Sequence, residues 1–254
     1  MIPKERSLRC LDLFGERPRA FTDQAAARFP GLEFECLRQG LEIHVSLRLR
    51  TGTSLHVRAG EDSRKGAVGA AMDQAEAWLR EKLGPLIYSD RGETFSAATL
   101  RALREAGLRV AMAESLTGGL ASAMLTDAPG ASEVFLGAAV TYSSHLKEAW
   151  LDVPPSVLAE PGPVSEPSAK AMAEGALRLS GAELALSLTG WAGPEPGSDG
   201  QPAGTVYLAL ARSNGFIHVE RQIFPGARAD VRKRAAYRGL DLIRRHALGL
   251  PLVP

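Results

Sequence analysis

The sequence predicts an α/β protein: a three-layer, mainly parallel sheet with helices on both faces, preceded by a small α+β domain. Three observations carry this reading. From Leu108 onward, short apolar runs alternate with segments of helical spacing, as a parallel sheet with crossover helices requires. Before Tyr88 the pattern is instead a series of period-two segments closed by an amphipathic helix, which reads as an antiparallel meander with helical cover. Between them Ser89 to Glu93 (SDRGE) is a polar, glycine-containing boundary, dividing the 254 residues into domains of 1–90 and 91–254.

In the first domain a strand is expected near Leu8 to Leu13, then a short helix capped by Thr22 and ended by Pro30-Gly31. Alternating segments follow at Leu32 to Leu37, Glu42 to Arg50 and Ser54 to Arg58. In the second of these, Ile43, Val45, Leu47 and Leu49 share one face while His44 lies on the wet one, with His56 on a different strand and no carboxylate between them, so no metal site is expected. The helix Val68 to Leu83 should cover the meander. Just before it, Arg64, Lys65 and Gly66-Ala67-Val68-Gly69 read either as a basic loop or as the GXXG backbone clamp of a KH-type nucleic-acid module. The loop reading is preferred, because the segment follows a strand and carries no aromatic stacking platform.

In the second domain a helix from Thr94 to Ala106 leads into strand Leu108–Ala113, helix Gly118–Thr126, strand Val134–Tyr142, helix Ser144–Leu151, helix Ser165–Ser180 and strand Glu183–Thr189. Strands Thr205–Ala211 and Phe216–Phe224 are joined by Arg212-Ser213-Asn214-Gly215 and form a hairpin on the sheet. A last helix, Asp230–Leu248, places Val231, Ala235, Leu240 and Ile243 inward and most of its arginines outward.

Composition narrows the function classes. With 45% hydrophobic and 23% charged residues the chain matches an ordinary globular protein, and a formal net charge of +1 argues against nucleic acid as a partner. No run approaches the roughly 18 apolar residues of a membrane span, and the first residues lack the apolar core of a signal peptide, so the cytoplasm is the expected location. Cys10 and Cys36 lack metal or redox spacing and read as buried thiols.

Candidate chemistry gathers at strand ends, where open α/β sheets build their sites. After the strand ending at Ala113 come Glu114, Ser115, Thr117, Gly118 and Gly119. This turn is suited to hold a serine nucleophile beside backbone N–H groups that bind an oxyanion or phosphate, or it is simply a tight turn. After Val140 come Tyr142, at the strand end, and Lys147, one turn into a helix capped by Ser143 or Ser144. Lys147 can act as a base where burial makes it neutral, with Tyr142 relaying the proton or holding the amine; His145 is a rival base, and a solvated lysine is the plain alternative. The loop from Gly190 to Gly204, with five glycines and three prolines, reads as a lid or ligand clamp, or as an irregular hairpin connection. Arg228 and Arg232, four residues apart, read as a grip on phosphate or carboxylate, or as solvated side chains.

Taken together, these stretches resemble the C-terminal domain of the competence/damage-inducible CinA family, whose stand-alone members are nicotinamide mononucleotide deamidases. The resemblance rests on AESLTGG (Ala113 to Gly119), TDAPGAS (Thr126 to Ser132), VTYSSHLK (Val140 to Lys147), GPVSE (Gly162 to Glu166), LTGWAGP (Leu188 to Pro194) and AGTVY (Ala203 to Tyr207), in that order. The first domain is similar, more loosely, to the KH-like middle domain of full-length members, with LGPLIYSDRGET (Leu83 to Thr94) at the junction. The large molybdopterin-binding-like domain of that architecture has no counterpart here, so its ADP-ribose pyrophosphatase activity is not implied. The resemblance implies Ser115 as nucleophile, Lys147 as its base and Tyr142 as their helper, with substrate held by Glu114, Thr117, Gly118, Gly119, Thr189, Gly190, Ala192, Gly193 and Arg228 or Arg232. It further implies hydrolysis of the nicotinamide carboxamide to nicotinate mononucleotide and ammonia, without cofactor or metal, by a homodimer. The alternative is a weakly active or non-catalytic nucleotide-binding protein whose first domain contacts a partner or nucleic acid. The chain departs from the family pattern at Leu116, where cysteine is common, at Ser144-His145, where asparagine and glutamate are common, and at Trp191, where a small aliphatic residue is common. Trp191 is expected either to fill part of the pocket or to stack on the pyridine ring.

Overall fold

The structure, a computed structural model, describes residues 5–13, 17–50 and 61–252. The chain forms two compact units, Met1–Phe95 and Ser96–Pro254.

The first unit is an antiparallel sheet of β1 (Glu5–Leu11), β2 (Leu32–Gln39), β3 (Glu42–Leu49) and β4 (Ile87–Ser89), in the order β2-β3-β1-β4. Helices α1 (Arg17–Arg28) and α2 (Glu61–Leu83) pack on it. The turn between β2 and β3 has two residues, and Gly40 supplies the positive φ (67°) that such a tight hairpin turn demands. Period-two alternation turns Ile43, Val45 and Leu47 inward, where they meet Leu8, Cys10 and Leu32 from the sheet and Met72, Ala75 and Leu79 from α2. Cys10 is buried in this core, whereas Cys36 is only partly so.

Two expectations for this unit are corrected. Thr22 does not cap α1 but lies within it, buried, because the helix begins at Arg17. Residues 66–69 are not a loop: α2 begins at Glu61, so the four residues are helical and offer no GXXG clamp. The strand expected at Ser54 to Arg58, with His56, lies outside the described residues.

The second unit is built on a five-stranded sheet of order β6-β5-β7-β8-β9. Its strands are β5 (Val110–Glu114), β6 (Phe135–Val140), β7 (Leu184–Gly190), β8 (Thr205–Arg212) and β9 (Ile217–Ile223). β5 pairs in parallel with both β6 and β7, while β8 and β9 add the expected antiparallel hairpin. Six helices complete the unit: α3 (Phe95–Ala106), α4 (Leu120–Thr126), α5 (Ser144–Leu151), α6 (Pro155–Ala159), α7 (Glu166–Ser180) and α8 (Arg228–Ala247). β5 and β7 lie inside the sheet and are buried along nearly their whole length, with Glu114, Ser187 and Thr189 as the buried polar side chains among their apolar residues.

Alternation divides the two faces. Ala113, Ala139 and Ala185 face α7, together with Met172 and Ala176 of that helix and Leu151 from the end of α5. Leu186 and Leu188 face α8, where Gly239 allows the helix axis to approach the sheet: a Cβ at that position would lie 2.7 Å from a Leu186 methyl. Small residues recur on α7 for the same reason. Ser165 caps α7 by accepting from the Ser168 N–H, and Gly181 ends it with φ 66°.

The arginines of α8 are a correction. Arg238, Arg244 and Arg245 are not solvated but almost fully buried, around Asp241. The short helix α6 was also unforeseen.

Candidate active site

Strand order places the site. From β5 the chain crosses to β6 on one side and then returns to β7 on the other, so a crevice opens at the carboxyl end of β5. Ser115 is the first residue past β5, and its N–H donates to Leu188 O of β7 at 2.9 Å, extending the sheet by one bond. The turn then closes with Gly118 N–H on Ser115 O at 3.0 Å, and Gly118 (φ 60°) and Gly119 (φ 89°) take the left-handed backbone that starts α4. Ser115 is thereby held at the sheet edge with 8% of its surface exposed.

Two charged residues shape this turn from behind. Glu114 is fully buried and accepts from Ala121 N–H, Ser122 N–H and the Ser122 hydroxyl, so its carboxylate caps the N-terminus of α4 and does not line the cavity. Arg232, from α8, donates through Nε to Leu116 O (3.0 Å) and through Nη2 to Thr117 O (2.7 Å). In a planar trans peptide the C=O and the following N–H point in opposite directions, so drawing Leu116 O toward α8 turns Thr117 N–H away from it. The N–H groups of Leu116 and Thr117 have no intramolecular partner among the described residues.

Lys147 reaches the crevice from α5, one turn past the Ser143 cap, whose side chain accepts from Leu146 N–H. It is 2% exposed. Its Nζ donates to Thr189 Oγ1 at 2.8 Å, Pro163 O at 3.2 Å and Met172 Sδ at 3.3 Å, while the Thr189 hydroxyl donates to the same Pro163 carbonyl at 2.8 Å. None of these partners is anionic. Burial without a compensating carboxylate pushes the amine down from its usual range to about 7.

Ser115 and Lys147 line one cavity of about 500 Å³, with Leu116, Tyr142, Gly190, Ala192, Gly193 and Arg228. Tyr142, 61% exposed, accepts a hydrogen bond from Arg228 Nη2 at 2.8 Å, and Arg228 Nη1 donates to Gly193 O at 3.0 Å. Of the residues expected at the site, Thr117, Gly118, Gly119 and Arg232 stand behind the wall as turn-formers, and Thr189 sits behind Lys147. At Gly190 the chain passes close to β8, and a Cβ there would fall 2.6 Å from Thr205 O. Among the described residues no hydrogen bond joins Ser115 to Lys147, and no cluster of three His, Cys, Asp or Glu side chains could hold a metal ion.

Several lining residues were not assigned from sequence. Pro163 and Val164, from the GPVSE stretch, form one wall, and Ser143 and Ser144 open α5 at another. Trp191, by contrast, was expected at the pocket, and it lines the cavity with Pro194, Glu195 and Pro196 of the same loop. Met172, which completes the amine's cage, had no local signal beyond its place on an apolar helix face.

Comparison with known proteins places this arrangement. Residues 92–247 match the family described as CinA C-terminal domain. A CinA-like protein of Myxococcus xanthus is 44% identical over 185 residues, covering 73% of this chain and 44% of that protein. A putative competence-damage inducible protein of Symbiobacterium thermophilum is 37% identical over 239 residues, covering 87% of this chain and 56% of that one. The chain thus spans about half the length of these relatives. Among crystal structures, a CinA superfamily protein from Klebsiella pneumoniae superposes with a TM-score of 0.59 at 33% identity, over 62% of this chain and 99% of that one. The competence/damage inducible protein CihA from Agrobacterium tumefaciens gives 0.57 at 34% identity, over 59% and 91%. The chain belongs to the CinA family, through its C-terminal domain.

Proposed function

We propose that the protein is a nicotinamide mononucleotide deamidase in which Ser115 is the nucleophile and Lys147 its base. The observation that carries this reading is a serine and a buried lysine of pKa about 7, lining one cavity with no carboxylate beside the amine. A lysine that is neutral near pH 7 can take the serine proton, as an ordinary solvated lysine cannot.

In the proposed reaction Ser115 Oγ attacks the carboxamide carbon as its proton passes to Lys147 Nζ. The resulting oxyanion is met by the free N–H of Leu116, in a turn held by Gly118 N–H on Ser115 O and by Arg232 on Leu116 O. Collapse breaks the C–N bond, and the lysine proton leaves with ammonia. Water, deprotonated by the same amine, then hydrolyses the acyl-serine to nicotinate mononucleotide. Arg228, at the cavity mouth beside the start of α5, is the cation proposed to meet the phosphate. Tyr142, hydrogen-bonded to Arg228, fixes that side chain. A homodimer, implied by the family resemblance, belongs to the same proposal.

The deciding experiment is ammonia release from nicotinamide mononucleotide by the purified chain and by Ser115→Ala. Wild-type turnover, lost by at least about 10³-fold in the variant with an unchanged circular dichroism spectrum, is the expected result. A folded wild-type chain that binds the nucleotide without releasing ammonia would instead favour ligand sensing. The base makes a second prediction. Because Lys147 acts only when unprotonated, kcat/KM should rise with pH and level off above about 7, and a profile flat between pH 5.5 and 8 would remove Lys147 from the mechanism.

A further inference from the structure

We propose that Trp191 is a stacking wall that selects a planar, positively charged heteroaromatic ring. This deepens the proposed reading and rests on it for the identity of the ligand. The indole is fixed on several sides. Its backbone is tied to β8 and the loop before it, with Trp191 N–H on Thr205 O at 2.8 Å and Gly204 N–H on Trp191 O at 2.7 Å. Its ring N–H donates to Asp199 Oδ2 at 3.1 Å. Asp199 is itself set by Gln201, whose N–H donates to Oδ1 (3.0 Å) and whose side-chain amide donates to Oδ2 (2.8 Å). Gln201 in turn bridges Val164 O and the Tyr207 hydroxyl.

The loop also closes over the pyrrole edge. A Cβ on Gly197 would fall 2.3 Å from Trp191 Nε1 and 2.6 Å from Cδ1, so only glycine fits there. With its N–H edge engaged in this way, Trp191 lines the same cavity as Ser115 and Lys147. A carboxylate accepting the indole N–H makes the ring more electron-rich, and tryptophan is the strongest side-chain partner for a cation held over its face. Tyr142, the other aromatic of the cavity, is 61% exposed and engaged by Arg228, so a ring stacked there stays in water, where the attraction is weaker.

The test is equilibrium binding in the Ser115→Ala background, with Trp191→Ala, Trp191→Phe and Tyr142→Leu added singly. Three probes are used: nicotinamide mononucleotide, its reduced form with an uncharged ring, and ribose 5-phosphate with no ring. Trp191→Ala should weaken the oxidised nucleotide by about tenfold or more, the reduced one by clearly less, and ribose 5-phosphate not at all. Trp191→Phe should recover part of the loss. Equal losses for all three probes would show a merely structural role and overturn the proposal. So would a loss that follows Tyr142→Leu alone, or a wild-type chain that does not bind the oxidised nucleotide. Because binding is read without turnover, Trp191-dependent binding in a chain that releases no ammonia sinks the amidase reading and leaves the wall standing.

Discussion

Lys147→Met is expected to abolish ammonia release while making the protein more stable. The amine is 2% exposed and sits among Met172, Thr189 and Pro163, with a pKa lowered by burial to about 7. In the unfolded chain a lysine titrates near 10.4, so between about pH 7 and 10 the unfolded state holds a proton that the folded state lacks. Stability therefore rises with pH across that window, and below about 7, where both states are protonated, the cost of the buried amine is complete. That cost is on the order of 4–5 kcal/mol. Methionine has nearly the same length, carries no charge, and leaves the Thr189 hydroxyl its bond to Pro163 O. After allowance for the amine's lost hydrogen bonds, a net gain of about 1–3 kcal/mol is expected at pH 6.5, narrowing toward pH 10. Urea unfolding at the two pH values measures it. A variant less stable than wild type at pH 6.5 would mean that the cage stabilises the amine and that burial is not what tunes it.

Much of this architecture is legible in the residues. The strand ending in Glu114, the serine turn with its two glycines, and the Ser143 and Ser165 caps are local features whose geometry follows from local chemistry. Side-chain destinations were less legible, because they depend on partners far away in the chain. Glu114 and Ser115 are adjacent, yet strand alternation sends the carboxylate to the α4 face while the serine opens the crevice. Arg228 and Arg232 are one turn apart, yet only Arg228 reaches the cavity; the other meets carbonyls more than a hundred residues away in sequence. The cage around Lys147 draws on α7, β7 and the segment before Ser165, which no spacing rule brings together. The α8 arginines failed for a different reason. Their spacing from Asp241 announces the ion pairs, but only tertiary packing shows that water is excluded from them.

That buried cluster sets the largest expected stability effect, in Asp241→Asn. Asp241 Oδ1 accepts from Arg244 Nε (3.1 Å) and Nη2 (2.7 Å), and Oδ2 from Arg245 Nε (2.6 Å) and Arg238 Nη1 (3.3 Å). Arg238 also forks onto both oxygens of Glu220 on β9, and Arg238 and Arg245 donate to the carbonyls of Leu252 and Pro251, so the cluster ties the end of the chain to the helix. All three arginines and the aspartate are at most 2% exposed. Burial lowers the Arg245 pKa and the charge of Asp241 opposes that fall, but a guanidinium does not lose its proton at any working pH. Asparagine keeps the shape, removes the negative charge, and can present only one acceptor oxygen where the carboxylate presents two. The arginines it served are then left as under-compensated buried cations. Removing one partner of such a pair costs about 3–5 kcal/mol, well above the 0–1 kcal/mol of an exposed ion pair such as Arg104–Glu133. A fall of that size in the urea unfolding free energy is expected for Asp241→Asn, against less than about 1 kcal/mol for Glu133→Gln. Equal small losses in both would mean that water reaches the α8 cluster in solution.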